Sequence, residues 1–200
     1  MTAEMRTPLM YALQQSEAMP QILNFHDCVR NVDWRSILTY AEKRIDILVY
    51  YWSSWVDAWE DELKIFLSKP GAKLRLVVAD PRNPMILKDI KKLFPEHSEQ
   101  ELIAKIKSTQ RKLNKLVESL PEPRGSVELY LLSRPVSYPC QRIDDEIVVF
   151  SIFEMYRQRK VDAPSVVVNL QESPHLRQFF DKEWEGILRE AVRCDLSKQI

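Results

Sequence analysis

Two short segments of the chain carry side chains of the types that bind anions. Each segment directly follows an apolar run typical of a buried strand, residues 45–51 and residues 74–79. The candidate ligand-binding residues in these segments are Trp52, Ser53, Ser54, Asp80 and Arg82. Serines at a helix start lie where free N–H groups favour an anion, an arginine pairs with phosphate, and an indole stacks on a base. Because such strand ends line ligand sites in α/β sheets, the pattern predicts a site there for an anionic, nucleotide-like ligand.

An ordinary structural role is the alternative for each of these residues, and for Trp52 that role is packing in the core. Ser53 and Ser54 precede an amphipathic helix, and Ser54 followed by Asp57 predicts a capping box. Every helix start needs a cap whereas ligands are rare, so capping is the favoured role for the two serines. For Asp80 and Arg82 the sequence leaves both roles open, because strand-end turns often line sites in α/β sheets.

A second charged group lies in the run Arg-Ile-Asp-Asp-Glu at residues 142–146. Arg142 and Asp144 complete the predicted ligand-binding set, with Arg142 as the partner of an anion. The alternative is an ion pair between Arg142 and a nearby acid, which is favoured because charged groups in such clefts usually have partners. Consecutive carboxylates on a strand point to alternating faces, so Asp144, Asp145 and Glu146 do not indicate a metal site.

Histidine and cysteine, the usual nucleophiles and metal ligands, show no catalytic spacing in this sequence. The three histidines are far apart, and only His175, in the first turn of the last predicted helix, would act as a base if it reached the strand ends. A surface role is favoured for His175 because no spacing ties it to a second catalytic group. Cys28, Cys140 and Cys194 are odd in number and form no C-x-x-C pair, which predicts a reduced, cytoplasmic protein.

The composition excludes several classes of function. Lys+Arg and Asp+Glu both number 29, so no global field attracts nucleic acid or an anionic membrane. The sequence has no apolar run of about 18 residues, which predicts no membrane span. With 3 glycines it lacks the clustered glycines of a Rossmann fingerprint or a P-loop, so we expect no cofactor.

Hydrophobic periodicity predicts one domain over residues 1–200. Residues 1–30 are a lead-in with a short helix near residues 9–13, and residues 31–94 form a β-α-β-α part. Residues 95–123 form an inserted helical arm, and residues 124–200 contain strands at 127–132, 138–143, 146–153 and 165–170 before a final helix. The predicted fold class is α/β, with a mixed sheet and helices on both faces.

The helical arm has two features whose roles remain open. Its apolar positions are spaced as in a heptad seam, which packs either within the chain or against the arm of a partner: Leu102, Ile106, Leu113, Leu116 and Leu120. Its basic side chains either contact nucleic acid or form a solvated helix face, and the zero net charge of the chain favours the solvated face. These side chains are Lys105, Lys107, Arg111, Lys112 and Lys115.

The order of elements resembles one half of the phospholipase D-like superfamily. The resemblance covers residues 45–150 and 165–193 and rests on an "I-D-I-L-V" strand, a "K-L-R-L-V-V-A-D-P" strand, an "R-I-D-D-E" turn and a last helix of the "F-F-D-K-E-W-E-G-I-L" type. It implies the α/β fold named above. It also implies a homodimer, since two such halves meet at a two-fold axis in that superfamily.

The catalytic motif of the resembled family is absent. Active members carry H-x-K-x4-D, in which the His attacks phosphorus while the Lys and Asp bind phosphate and support the His. If Asp144 takes the Asp position, Ser137 and Pro139 occupy the His and Lys positions; if Asp145 takes it, they are Tyr138 and Cys140. Serine and tyrosine are poor substitutes for an imidazole nucleophile.

The sequence therefore predicts a catalytically degenerate phospholipase D-like domain that senses a ligand or binds a partner. An anionic small molecule or nucleotide is the expected ligand, and nucleic acid is not favoured. Two alternatives remain, a phosphodiesterase or nuclease with an unusual nucleophile such as His175, and a scaffold without a ligand.

Overall fold

The computed structural model describes residues 21–26, 29–122, 124–152 and 163–197, so the predicted helix near residues 9–13 and Cys28 lie outside the described residues. The strands are β1 (Gln21–His26), β2 (Arg44–Leu48), β3 (Lys73–Ala79), β4 (Ser126–Leu132), β5 (Cys140–Ile143), β6 (Ile147–Ser151), β7 (Ser165–Asn169) and β8 (Val192–Cys194). The helices are α1 (Trp34–Tyr40), α2 (Ser53–Ala58), α3 (Glu60–Leu67), α4 (Pro84–Leu93), α5 (Glu99–Glu118) and α6 (Pro174–Glu190).

The strands form one mixed sheet of eight strands in the order β1-β7-β6-β5-β2-β3-β4-β8. Strands β2, β3 and β4 are parallel, and the remaining neighbours pair antiparallel. The central strands are apolar and buried because helices cover both of their faces. The predicted α/β fold with a mixed sheet is confirmed.

Alternation along the strands divides the sheet into two faces. One face carries Ile45, Ile47 and Leu74, which are at most 1% exposed and pack in the main core under α1 to α5. The other face is covered by α6, where Phe180 contacts the Phe150 ring and Trp184 lies under the Arg75 guanidinium. We call this second side the α6 face.

The predicted helical arm packs against the core of the domain rather than projecting from it. Helix α5 begins at Ser98 with the expected capping box to Glu101, and the seam residues Leu102, Ile106 and Leu113 are at most 1% exposed. They pack in the same core cluster as the sheet, and α5 contacts α2 and α4. The heptad seam therefore packs within the chain, which settles the alternative that the sequence left open.

The helix expected after β2 differs from the prediction in two ways. Helix α2 begins at Ser53 with Trp52 at its N-cap position, so Ser54 lies inside the first turn and the predicted capping box with Asp57 does not form. Trp59 then leaves the helical region at φ −125 and separates α2 from α3. Packing of the Trp59 ring against Trp55, with centroids 6.0 Å apart, accompanies this break.

Two edge strands and the ends of two other strands also differ from the prediction. Strands β1 and β8 were not predicted, because both exist through pairing with β7 and β4 rather than through a strong local pattern. Strand β5 begins at Cys140 rather than residue 138, since Pro139 has no N–H to donate. Strand β6 spans Ile147–Ser151 rather than residues 146–153. No helix in the described ranges is long and apolar enough to span a membrane.

Candidate functional site

The strand-end edge, where β2, β3 and β4 finish, is built by the loops that follow these strands. The segment at residues 133–139 crosses it and returns as β5, whose Cys140 pairs with Leu48 at the end of β2. The Tyr50 hydroxyl donates a 2.6 Å hydrogen bond to the Val136 carbonyl and ties this segment to the chain after β2. Burial raises the pKa of Tyr50 to about 12, so the phenol remains a donor at neutral pH.

The segment after β2 is held by α5. The backbone N–H of Trp52 donates a hydrogen bond to Thr109 Oγ1 at 3.0 Å, and Lys112 Nζ donates one to the Ser53 carbonyl at 2.9 Å. The Trp52 ring is 3% exposed and stacks on Trp55 at 4.4 Å. Of the three predicted residues here, Ser54 alone is exposed. The indole of Trp52 is therefore a core group, as in the structural alternative, and is buried away from a base.

The segment after β3 is organised by the Asp80 carboxylate. It accepts hydrogen bonds from Arg82 through the backbone N–H at 3.0 Å and through Nε and Nη2 at 2.9 Å each, and from Ser133 Oγ at 3.2 Å. The Arg82 hydrogen bond is the main reason that the pKa of Asp80 lies below its usual value. Asp80 is 6% exposed, whereas the Arg82 side chain is 60% exposed. Arg82 therefore presents its guanidinium at the edge while Asp80 orients it.

Replacing Arg82 with alanine is expected to raise the pKa of Asp80. A carboxylate with a lowered pKa stabilises the fold above its unfolded pKa of about 3.9, and this stabilisation is lost as the pH falls through the folded pKa. The variant should be less stable than wild type by less than about 1 kcal/mol at pH 7, since Arg82 is mostly exposed. The difference should be smaller at a pH below the folded pKa of Asp80 than at pH 7.

NMR titration of the Asp80 carboxyl and thermal unfolding at both pH values measure these effects. Arg134→Ala is the control, because it leaves every partner of Asp80 in place. An unchanged Asp80 pKa in Arg82→Ala would contradict the role of Arg82 in lowering that pKa.

Arg142 lies in the sheet rather than at the strand-end edge. It is 3% exposed and lies opposite Asp46 in the pairing of β5 with β2. Its Nη2 forms ion pairs with Asp145 at 2.6 Å and with Asp181 of α6. The ion pair favoured from the sequence is thus present. Arg142 lies level with Arg75, since both pair with Asp46, whereas Arg82 lies beyond the end of β3. The five residues from Arg75 to Ala79 alone span roughly 13 Å. The structure therefore does not bring Arg82 and Arg142 together.

Asp144 lies at the opposite end of the sheet, in the turn between β5 and β6. Its carboxylate accepts hydrogen bonds from the N–H groups of Glu42, Lys43 and Arg44 at 2.5, 2.8 and 2.6 Å. It has φ +52 and joins the β5–β6 turn to the start of β2. Ligand binding at Asp144 stays a prediction, but the residue is not part of the strand-end edge.

His175 and His97 also lie at different ends of the sheet. Helix α6 starts after Asn169, which pairs with Ile147 and so lies at the Asp144 end of the sheet. His175, exposed in the first turn of α6, is therefore remote from the strand-end edge. His97 is nearer to it, with its ring centroid 6.3 Å from that of Tyr51 after β2.

A cavity of about 90 Å³ opens between the strand-end edge and α6 on the α6 face. The ends of two strands, the segment before β5 and the second half of α6 supply its walls: Leu48, Leu132, Arg134, Pro135, Ser137, Tyr138, Glu183, Gly186 and Ile187. We call it the α6 cavity. Its lining combines a guanidinium, two hydroxyls and a carboxylate with apolar walls.

The polar groups of the α6 cavity are suited to hydrogen bonding. Burial raises the pKa of Tyr138 well above its usual value, and the neighbouring Glu183 adds to this through its charge and a hydrogen bond. Burial also raises the pKa of the Cys140 thiol to about 12, so it is not a thiolate nucleophile at neutral pH. Arg134 is 58% exposed and bonds both Glu190 carboxylate oxygens at 3.0 and 2.9 Å.

None of the residues that line this cavity was in the ligand-binding set predicted from the sequence, and its two charged residues are Arg134 and Glu183. Arg134 follows β4 directly, just as the segment with Arg82 follows β3, so the rule about strand ends would have found it. Glu183 comes from α6, and no local pattern connects it with Tyr138. Within the described ranges, no group of three His, Cys, Asp or Glu side chains is placed to hold a metal ion.

Comparison with solved structures bears on the fold. The chain is similar to the phosphatidylserine synthase of Haemophilus influenzae Rd KW20, with a TM-score of 0.50 and 14% identity over 80% of this chain and 36% of that one. It has a phospholipase D-like fold. This domain thus spans about a third of the synthase.

Further solved structures have lower scores. Nuc from Salmonella typhimurium, a phospholipase D family member, has a TM-score of 0.49 and 14% identity, over 80% of this chain and 87% of Nuc. NucT from Helicobacter pylori has a TM-score of 0.44 and 12% identity, over 79% of this chain and 86% of NucT. No family model and no curated protein matches the sequence.

The two registers that the sequence resemblance offers for the family motif lead to the same cavity. Asp144 and Asp145 both lie in the β5–β6 turn, with φ +52 and +63. With Asp144 at the Asp position, the His position is Ser137, whose side chain lines the α6 cavity. With Asp145 there, it is Tyr138, which lines the same cavity. In either register the residue in place of the histidine faces this cavity.

Proposed function

We propose that this phospholipase D-like domain binds a small anion in the α6 cavity and acts as a ligand-sensing or interaction module without phosphodiesterase chemistry. One observation carries the proposal: both residues that can replace the family histidine, Ser137 and Tyr138, line a polar cavity, and burial raises the pKa of Tyr138. A hydroxyl needs a neighbouring base to attack phosphorus. The lining of the α6 cavity contains no histidine.

Positive charges on two neighbouring strand ends, one of them in the cavity lining, support an anionic ligand. Arg134 follows β4 and Arg82 follows the adjacent strand β3, and their side chains are 58% and 60% exposed. The Asn83 side chain donates to the Ser133 carbonyl at 3.4 Å and joins the two loops. The Arg134 guanidinium, which lines the cavity and bonds Glu190, is the group best suited to a phosphate.

The cavity volume limits the size of the enclosed group. About 90 Å³ is the space of roughly three waters, at about 30 Å³ each. Sites that enclose a drug-sized ligand have roughly 300–1,000 Å³. A phosphate or another small anion therefore fits inside, and a nucleotide would leave its base outside, over the strand-end edge.

The experiment combines binding with hydrolysis on the full chain. Isothermal titration with inorganic phosphate and with AMP should detect binding that weakens at least tenfold in Arg134→Ala and in Ser137→Leu. Lys64→Ala, which removes an exposed ion pair with Glu60 on α3, should bind as wild type does. Equal binding by all variants, or no binding by the wild type, would remove the proposed site.

Hydrolysis of bis(p-nitrophenyl) phosphate separates binding from catalysis. We expect no turnover above the buffer rate for the wild type or for His175→Ala. Metal-independent turnover that is lost in Ser137→Ala or Tyr138→Phe would instead establish a phosphodiesterase. Turnover lost in His175→Ala would support the unusual nucleophile considered from the sequence.

The proposed module is a cytoplasmic homodimer. The free thiols of Cys140 and Cys194 support a reducing compartment. Light scattering of the purified chain tests the dimer, and a monomer at high concentration would contradict it.

A further inference from the structure

Strand β1 exposes more apolar surface than any other strand in the described ranges. Ile22, Leu23 and Phe25 are 57%, 51% and 58% exposed, although the strand has only 6 residues. Single exposed apolar residues are ordinary, but three in one short strand form a patch. Such patches usually mark an interaction surface.

The backbone of β1 is also available for pairing. The strand lies at one end of the sheet and pairs with β7 alone among the described strands. Natural edge strands are usually protected from pairing by charged residues, prolines, bulges or cover. The sequence of β1, Gln-Ile-Leu-Asn-Phe-His, has no Lys, Arg, Asp, Glu or Pro.

A bulge places the two largest exposed side chains on the same face. The register of β1 on β7 shifts between Ile22 and Asn24, so that Ile22 pairs with Val168 and Phe25 with Val166. Val166 and Val168 are two residues apart on β7 and therefore point to one face. Val166 in turn pairs with Phe150, which lies on the α6 face.

This face continues as an apolar surface across two further elements. Phe150 contacts the Phe180 ring at 6.3 Å, and Phe180 contacts Phe179, which is 46% exposed. Ile152, just beyond β6, is 52% exposed. We define the β1 patch as the exposed apolar residues of β1, the end of β6 and α6: Ile22, Leu23, Phe25, Ile152 and Phe179.

We propose that β1 pairs antiparallel with β1 of a second copy, so that two eight-stranded sheets join edge to edge. This inference names the surface of the homodimer and so rests on that part of the proposed function. A two-fold axis between residues 23 and 24 places Ile22 opposite Phe25 of the second copy, and Phe25 opposite its Ile22. Aromatic side chains paired with β-branched ones stabilise adjacent strands, and a two-fold interface requires this reciprocity.

The lack of charge favours a second copy over a charged foreign strand. Self-pairing of β1 brings no like charges together, since His26 is its one titratable side chain. Stable interfaces bury about 1,200–2,000 Å² in total. Six paired residues contribute only part of this area, so Ile152 and Phe179 must also be covered.

Sedimentation velocity on the full chain over a concentration series tests the proposal. The wild type should dimerise, and Phe25→Asp should raise the dimer dissociation constant at least tenfold. Phe25→Leu should remain close to wild type because it keeps the apolar contact. Ile65→Asp is the matched control, since Ile65 is also 58% exposed but lies on α3.

Hydrogen exchange of the wild type provides a test that needs no variant. Amides of β1 should be protected in the dimer and lose protection on dilution. Protection that does not change on dilution would mean that another part of the same chain covers β1, and would overturn the proposal.

The remaining outcomes separate this inference from the proposed function. A dimer that survives Phe25→Asp overturns the β1 interface and leaves the homodimer in place. A wild-type monomer overturns both the interface and the homodimer. Phosphate titration reports on the α6 cavity independently of either outcome.

Discussion

Replacing Asp46 with alanine is expected to destabilise the protein by about 3–5 kcal/mol. Asp46 is fully buried, and its carboxylate bonds Arg75 through Nε and Nη2 at 2.6 Å each and Arg44 Nε at 3.0 Å. Removing the carboxylate leaves these two guanidiniums without their shared anion. A buried charge that loses its partner is far more destabilising than the loss of an exposed pair.

The effect should extend to α6, because α6 packs directly on the charged row, which we define as Arg75, Asp46 and Arg142 on three adjacent strands. Trp184 lies under the Arg75 guanidinium at 5.6 Å, and Asp181 bonds Arg142, the neighbour of Asp46 across β2. The same helix supplies Glu183, Gly186 and Ile187 to the α6 cavity. We therefore expect Asp46→Ala to weaken phosphate binding as well as the fold.

Urea unfolding followed by tryptophan fluorescence measures the loss of stability. The double variant Asp46→Leu, Arg75→Leu should be more stable than Asp46→Ala, because it removes both charges of the main pair. Glu60→Ala, in an exposed helix pair with Lys64, should change stability little. If Asp46→Ala unfolds at the same urea concentration as wild type, the charged row is not a structural element.

Replacing Asp144 with alanine is expected to destabilise the protein by about 2–4 kcal/mol, because charge-assisted hydrogen bonds are lost and alanine is strained at positive φ. The three N–H groups that bond this carboxylate belong to the turn that leads into β2. Without it, both the β5–β6 turn and the start of β2 lose their connection. The local strain arises because Asp144 has φ +52.

Asp144→Asn is the informative control. Asparagine tolerates the left-handed region and keeps one side-chain oxygen, so it should lose less stability than alanine. Asp33→Ala provides a second comparison, since Asp33 caps α1 through a single backbone N–H, that of Ser36, and a side-chain bond to Ser36. Chemical denaturation of the three variants should order the losses with Asp144→Ala the largest. Equal losses for alanine and asparagine would contradict the role of the carboxylate and of the backbone conformation.

The fold could be predicted because its signals are local. The runs that became β2 and β3 are apolar and short, and the stripe of α5 repeats at heptad spacing, so their types follow from periodicity. Strands β1 and β8 could not be predicted, since pairing with a distant strand creates them. The break at Trp59 likewise depends on ring packing that spacing does not encode.

The candidate site was predicted only in part. The rule that ligands bind at strand ends led to the edge with Asp80 and Arg82, where ligand binding stays a prediction, but periodicity cannot show that Trp52 is buried or that Asp144 lies at the other end of the sheet. Antiparallel pairing of β5 with β2 decides the position of Asp144, and the sequence does not state that pairing.

The sequence by itself determined the fold class and the absence of the H-x-K-x4-D motif, because periodicity and residue identity are properties of the chain alone. Only the tertiary structure decided which charged groups meet. The direction of β5 carries Arg142 to Asp46 and Asp144 to the start of β2, while α6 crosses the sheet and places Glu183 beside Tyr138. Contacts between residues far apart in sequence have no local pattern, so the α6 cavity emerges only when the strands are paired.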